Sequence, residues 1–124
     1  MLKTILGGYK GGNDMDKNLK MVRGDTLSFG FEYDFDDEST QDLDTCYFSC
    51  KLNPDDDEYI FQKSIGDGIS KVDDNQYRVR IAPEDTDGIH IGKYYYDFQI
   101  GLNSDIHTIL KGVLIIEREI TREG

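Results

Sequence analysis

The sequence predicts an all-β fold, and three observations predict it. The 124 residues include one alanine, Ala82, against 13 isoleucines, eight tyrosines and six phenylalanines, residues that favour strands over helices. Apolar residues recur with a period of two in several runs, while no segment carries a convincing stripe at helical spacing. Glycine, proline and acidic turn residues separate the runs at roughly even intervals, the pattern of short antiparallel strands.

The first element is a short strand at about 19–23. Residues 1–18 ahead of it are expected to be a flexible N-terminal arm, because GGYKGGNDMDKN (7–18) has too little apolar surface to fold alone. Leu27, Phe29, Phe31 and Tyr33 then alternate with Ser28, Gly30 and Glu32, a half-buried strand. After an acidic break, Cys46, Phe48, Cys50 and Leu52 alternate with Tyr47, Ser49 and Lys51. Pro54 stops that strand in the turn 53–58. A further strand runs over 59–65 and ends at the glycines of 66–68. Tyr77, Val79 and Ile81 alternate with arginines, and 82–86 reads as a turn or a single helical turn. Tyr94, Tyr96, Phe98 and Ile100 mark the penultimate strand, 102–105 a hairpin turn, and 106–120 a long final strand with a bulge or bend expected at Gly112. Its run Val113–Ile116 is either an inner strand or covered by something packed outside the sheet.

Seven such strands over residues 19–124 are the signature of an immunoglobulin-like antiparallel β-sandwich. The antibody version is excluded, because there is no Trp and both cysteines fall on one strand. Phe29, Phe31, Phe48, Tyr94, Tyr96, Phe98 and Ile100 are the expected core. Tyr94 follows an acidic turn and Gly92, as in a tyrosine corner, in which a buried hydroxyl bonds the backbone just upstream. An ordinary core tyrosine is the other reading.

The formal charge of −11 disfavours nucleic-acid binding through a basic patch. No run approaches the ~18 apolar residues of a membrane span, and the start, MLKTILGG, is too short for a signal-peptide core, so a soluble product made in the cytosol is expected. Cys46 and Cys50 share a strand face about 13 Å apart, at ~3.3 Å per residue. A bridge needs Cα atoms within about 7 Å, so both are expected to be reduced and buried. A zinc site would need Cys46, Cys50, His90 and His107 to converge, with spacings that match no finger pattern.

Arg23-Gly24-Asp25 spells an integrin tripeptide but sits where two strands join, so it reads as a turn. Acidic clusters (Asp34, Asp36, Asp37 and Glu38; Asp42 and Asp44; Asp55 to Glu58) read as solvated loop charge. Calcium is the alternative, although Asp14-x-Asp16-x-Asn18 has Leu19 where a calcium loop requires Gly. There is no GxSxG, no HExxH and no phosphate-cradling glycine loop. No enzyme is expected: no catalytic, cofactor-binding or metal-binding residue is assigned. Tyr47 and Tyr95, on the polar registers of their strands, are the residues that could serve a carbohydrate-binding module.

One ordered set of short motifs runs through the chain. It comprises 22–26 (VRGDT), 81–86 (IAPEDT), 92–100 (GKYYYDFQI), 108–112 (TILKG) and 119–122 (EITR). In order and spacing it resembles the small immunoglobulin-like domains of tailed-phage structural proteins, above all the N-terminal domain of the baseplate upper protein of phages that infect Gram-positive bacteria. The resemblance spans 19–122, and no fibre or receptor-binding region is expected after Gly124. It implies a virion-associated structural or assembly protein of the tail, baseplate or neck, made in the host bacterial cytoplasm and then carried in the virion. Its partners would be other phage structural proteins, with a homo-oligomer left open and neither nucleic acid nor membrane among them. The competing expectation is a carbohydrate- or calcium-binding β-sandwich module.

Overall fold

The computed structural model describes residues 3–7, 18–34 and 42–120. The fold is all-β. Its strands are β1 (Lys3–Gly7), β2 (Leu19–Val22), β3 (Leu27–Asp34), β4 (Thr45–Lys51), β5 (Phe61–Ile65), β6 (Gly68–Asp73), β7 (Gln76–Ile81), β8 (Gly92–Leu102) and β9 (Asp105–Glu117). One helical turn, α1 (Pro83–Thr86), precedes β8. All nine strands belong to one hydrogen-bonded ladder in the order β1-β3-β7-β6-β5-β4-β8-β9-β2.

That order cannot lie flat. β2 and β3 stand seven positions apart in it, which is about 34 Å at ~4.8 Å per strand. Only residues 23–26 join them, and the five residue steps from Val22 to Leu27 span at most ~18 Å. The sheet therefore curls until β2 comes round to within that reach of β3, nearly a barrel. The curl turns sharply between β5 and β6. Their parallel pairing is two residues long, Ser64 with Gly68 and Ile65 with Ile69. Parallel neighbours in a regular sheet need a crossover of a dozen residues or more, whereas here 66 and 67 alone intervene, so the pair is a corner. On one side of it lie β1, β3, β7 and β6, and on the other β5, β4, β8, β9 and β2.

The two faces enclose the core. Phe31 meets Phe98 edge-on with ring centroids 4.6 Å apart, and Phe29 meets Phe48 at 5.8 Å. Phe48 in turn stacks on Tyr96 at 5.1 Å. All seven expected core residues are buried, together with Cys46, Cys50, Tyr77, Val79, Ile81, Leu114 and Ile116.

Several details differ from the sequence reading. Nine strands are described where about seven are expected, because β1 and β6 add to them. β1 occupies residues 3–7 of the expected arm and pairs antiparallel with β3, while 8–17 lie outside the described residues. The ladder is mixed: β2 joins β9 in parallel, as β5 joins β6. Leu52 is not in the core but half-exposed at 49%, since β4 ends at Lys51 and the turn begins there. The bulge in β9 falls at Ile109, skipped where Phe98 and Gln99 pair with Leu110 and Thr108, and not at Gly112, which pairs in register with Tyr96. Over 114–116 β9 is an inner strand between β8 and β2. The hairpin turn at 102–105 forms as expected, with Asn103 and Ser104 both left-handed (φ 53° and 71°), the turn that matches strand twist. The side chains of Tyr33 and Asp34, residues 36–38 and Asp14 and Asp16 lie outside the described residues.

Phe48 is fully buried between the two faces, so Phe48→Ala should cost about 3–5 kcal/mol. Urea unfolding followed by circular dichroism measures this, and a loss below about 1 kcal/mol would contradict the packing.

Candidate functional site

At one end of the fold a set of polar contacts ties distant segments together. Arg23 donates through Nε and Nη2 to both carboxylate oxygens of Glu119, at 3.0 and 2.7 Å, and through Nη1 to the Ile89 carbonyl at 3.1 Å. The tripeptide that begins at Arg23 is thus a turn, closed by the Asp25 N–H on the Val22 carbonyl, and its guanidinium is already engaged. Gly24 takes φ +80°, which disfavours any side chain. Its N–H donates to Oγ1 of the fully buried Thr86 at 2.8 Å. Tyr94 Oη donates to the His90 carbonyl at 2.6 Å, so Tyr94 closes a tyrosine corner.

Next to this end, Asp85 Oδ2 accepts from the Ala82 N–H and pairs with Lys63 Nζ, both at 2.7 Å. Lys63 points inward from β5, and the pair is largely buried. A Cβ on Gly68 would lie 2.8 Å from Lys63 Cδ, so the glycine leaves room for the lysine stem. The period-two pattern gave no reason to place a lysine inside.

The other residues singled out in the sequence are dispersed. Cys46 and Cys50 are free thiols in the core, where burial raises both pKa values, that of Cys50 to about 12. His90 and His107 are exposed. Among the described residues no three His, Cys, Asp or Glu side chains group as metal ligands would. Three of the described acids hold loops instead. Asp42 pairs with Lys71 Nζ at 2.6 Å, Asp44 accepts from the Asn103 N–H, and Asp56 accepts from the Asn53 N–H.

The outer surface of β5, β4, β8 and β9 is where side chains converge on open space. Register sets them in rows: Gln62, Ser49, Asp97 and Lys111 cross the middle, Tyr47 and Gln99 lie to one side, and Lys51, Tyr95 and Val113 to the other. The loop 52–60 raises Pro54 and Tyr59 as a wall, and a cavity of about 840 Å³ lies between wall and sheet. Lys51 pins that wall, with Nζ donating to the Asp56 carbonyl at 2.6 Å and lying 5.1 Å from the Tyr59 ring centre. Gln62 Nε2 donates to Ser49 Oγ at 3.0 Å. Burial raises the Asp97 carboxyl above its ordinary pKa, and Lys51 draws it partly back. Tyr47 and Tyr95 are thus brought onto one face. Tyr59, which the sequence places on a short strand, stands in the loop and joins them.

No protein-family model matches this chain, and no curated protein matches it.

Two measurements check these contacts. Lys63→Met leaves Asp85 buried without its cation and should cost about 3–5 kcal/mol, with the Lys63→Met/Asp85→Asn pair recovering part of it. An undiminished urea midpoint in the single variant would contradict a buried ion pair. The thiols give a signed pH dependence. Between an ordinary thiol pKa of about 8.5 and the raised folded values, the unfolded chain loses protons that the folded chain keeps. Stability is therefore full below about pH 8 and falls as pH rises, by about 1.4 kcal/mol per unit for each thiol. Unfolding curves from about pH 8 to about pH 11 should steepen this loss in the native chain relative to Cys46→Ala/Cys50→Ala; parallel curves would contradict it.

Proposed function

We propose that this chain is a virion-associated structural or assembly protein of a tailed phage or prophage, built into the tail, baseplate or neck and acting by contact with other virion proteins. The observation that carries this reading is spatial. Motifs that bear the resemblance, far apart in sequence, supply the contacts at one end of the fold: Arg23 and Gly24 from the first, Asp85 and Thr86 from the second, Tyr94 from the third and Glu119 from the last. A shared set of motifs is expected where such contacts define one domain type.

The strand order supports the immunoglobulin-like part of the reading. Taken across the β5–β6 corner, β1-β3-β7-β6 follows the ABED order, and β4-β8-β9 the CFG order, with β5 as an added strand beside C. The tyrosine corner at Tyr94 stands near the start of the F-equivalent strand, its expected place. No residue is assigned a catalytic role. The protein would be made in the host cytoplasm and remain soluble there until assembly, which its net charge of −11 favours.

Mass spectrometry of purified virions from an induced lysogen tests the reading. The chain should be present, and affinity capture should recover tail, baseplate or connector proteins with it. Virions that lack the chain would overturn the proposal.

A further inference from the structure

We propose that the concave outer face of β5, β4, β8 and β9 binds a neutral oligosaccharide, whose rings stack on Tyr47 and Tyr95 and whose hydroxyls are held by Ser49, Gln62, Asp97 and Gln99. The inference goes beyond the assembly reading and stands without it.

The distribution of polarity selects this ligand class. A protein–protein interface has an apolar, dry centre and a polar rim. This face is the reverse. Its centre is the row through Ser49 and Asp97, and its aromatic rings stand to either side. Among the described residues Pro54 and Val113 are the aliphatic members of the lining. A pyranose suits such a surface, because its C–H faces pack on an aromatic ring while its edge of hydroxyls both donates and accepts. A tyrosine offers the ring for stacking and keeps its own hydroxyl in water. Gln62 and Gln99 offer donors and acceptors together, Ser49 offers its hydroxyl from the floor of the face, where it is nearly buried and accepts from Gln62, and Asp97 offers acceptors.

Charge narrows the class to neutral sugars. The lining holds Lys51, Lys111 and one aspartate, whereas the whole chain carries −11. Lys51 is engaged by the Asp56 carbonyl and the Tyr59 ring. An acidic polymer approaching this nearly balanced window meets the repulsion of the whole protein, and a neutral one does not.

Spacing and rigidity set the length. Tyr47 and Lys51 are four residues apart on β4, and Tyr95 is the cross-strand partner of Lys51. Strand rise and strand spacing then put Tyr47 and Tyr95 about 14 Å apart, the reach of a short oligomer and too far for one ring. The platform is pre-organised: the Tyr47 and Tyr95 rings project from paired strands, Lys93 Nζ lies 5.3 Å from the Tyr95 ring centre and leaves the opposite ring face for a sugar, Gln62 is tied to Ser49, and Lys51 holds the wall that carries Tyr59. Little ordering is left for binding to oppose.

The test titrates the full chain with glucan, galactan and N-acetylglucosamine oligomers, and with a uronic-acid oligomer as the charged arm, read by calorimetry and NMR amide shifts. At least one neutral oligomer should bind, and more tightly than its monosaccharide. Tyr47→Ala, Tyr95→Ala and Asp97→Asn should each weaken it about tenfold. Tyr47→Phe and Tyr95→Phe should keep most of the binding, and Arg78→Ala, at an exposed position of β7, all of it. The proposal is overturned if no neutral oligomer binds, if the acidic oligomer binds better, or if binding survives Tyr47→Ala/Tyr95→Ala. It is equally overturned if those tyrosine variants abolish capture of a virion protein while no sugar binds, for the face would then be a protein interface.

Discussion

A four-residue link holds this molecule in shape. Because β2 pairs at one limit of the ladder and β3 near the other, residues 23–26 force the sheet to curl, and the curl brings the aromatic residues of the two faces into contact. The link is itself secured from three directions. The bidentate pair between Arg23 and Glu119 ties it to the chain beyond β9, the Ile89 carbonyl to the loop before β8, and the bond from Gly24 to Thr86 to the helical turn. Such a fork of parallel charge-assisted bonds fixes orientation as well as distance, which a lone ammonium would not.

The same strands serve two environments. On β4 and β8 the residues Phe48, Cys50, Tyr96 and Phe98 fill the interior, and the residues between them, Tyr47, Ser49, Tyr95, Asp97 and Gln99, form the outer face. A shift of one residue in register would exchange the two sets. The core aromatics therefore fix the outer surface: packing on one side of the sheet sets the rows of tyrosine and polar groups on the other.

What could be read from the sequence follows from this alternation. β7 alternates cleanly, and β4 and β8 alternate well enough that Cys46, Phe48, Cys50, Tyr94, Tyr96, Phe98 and Ile100 were legible as inward, though not where β4 stops short of Leu52 or how far β8 extends at each end; Tyr94 was legible because a corner needs only local spacing. β6 was not, since Ile69 is its one buried residue and five of its six positions carry no inward signal. β1 was hidden because a strand of five residues depends on a partner, β3, that local pattern does not reveal. Lys63 breaks the rule that inward positions are apolar, and its reason is Asp85, twenty-two positions away. The bulge at Ile109 carries no glycine, so nothing local marked it. On the outer face Tyr47 and Tyr95 could be read from their registers. Tyr59 could not, because the loop that presents it is shaped by the reach of Lys51 to Asp56.

The Arg23–Glu119 pair joins residues 96 positions apart, and this separation orders events during synthesis. Chains emerge from the ribosome N-terminus first, at roughly 5–20 residues per second. β3, β7, β4 and β8 can find one another as they appear, and the hairpin of β8 and β9 closes locally. β2 has no partner until β9 has been made, because β9 is the strand it pairs with. β2 is thus made well before the strand that locks it, and the seam between β2 and β9 stays open for the seconds it takes to make the intervening residues. Long-range closure of this kind is slow to pair. A nascent chain that stalls short of Glu117 lacks the lock altogether, so the fold closes only once β9 and Glu119 have both been made.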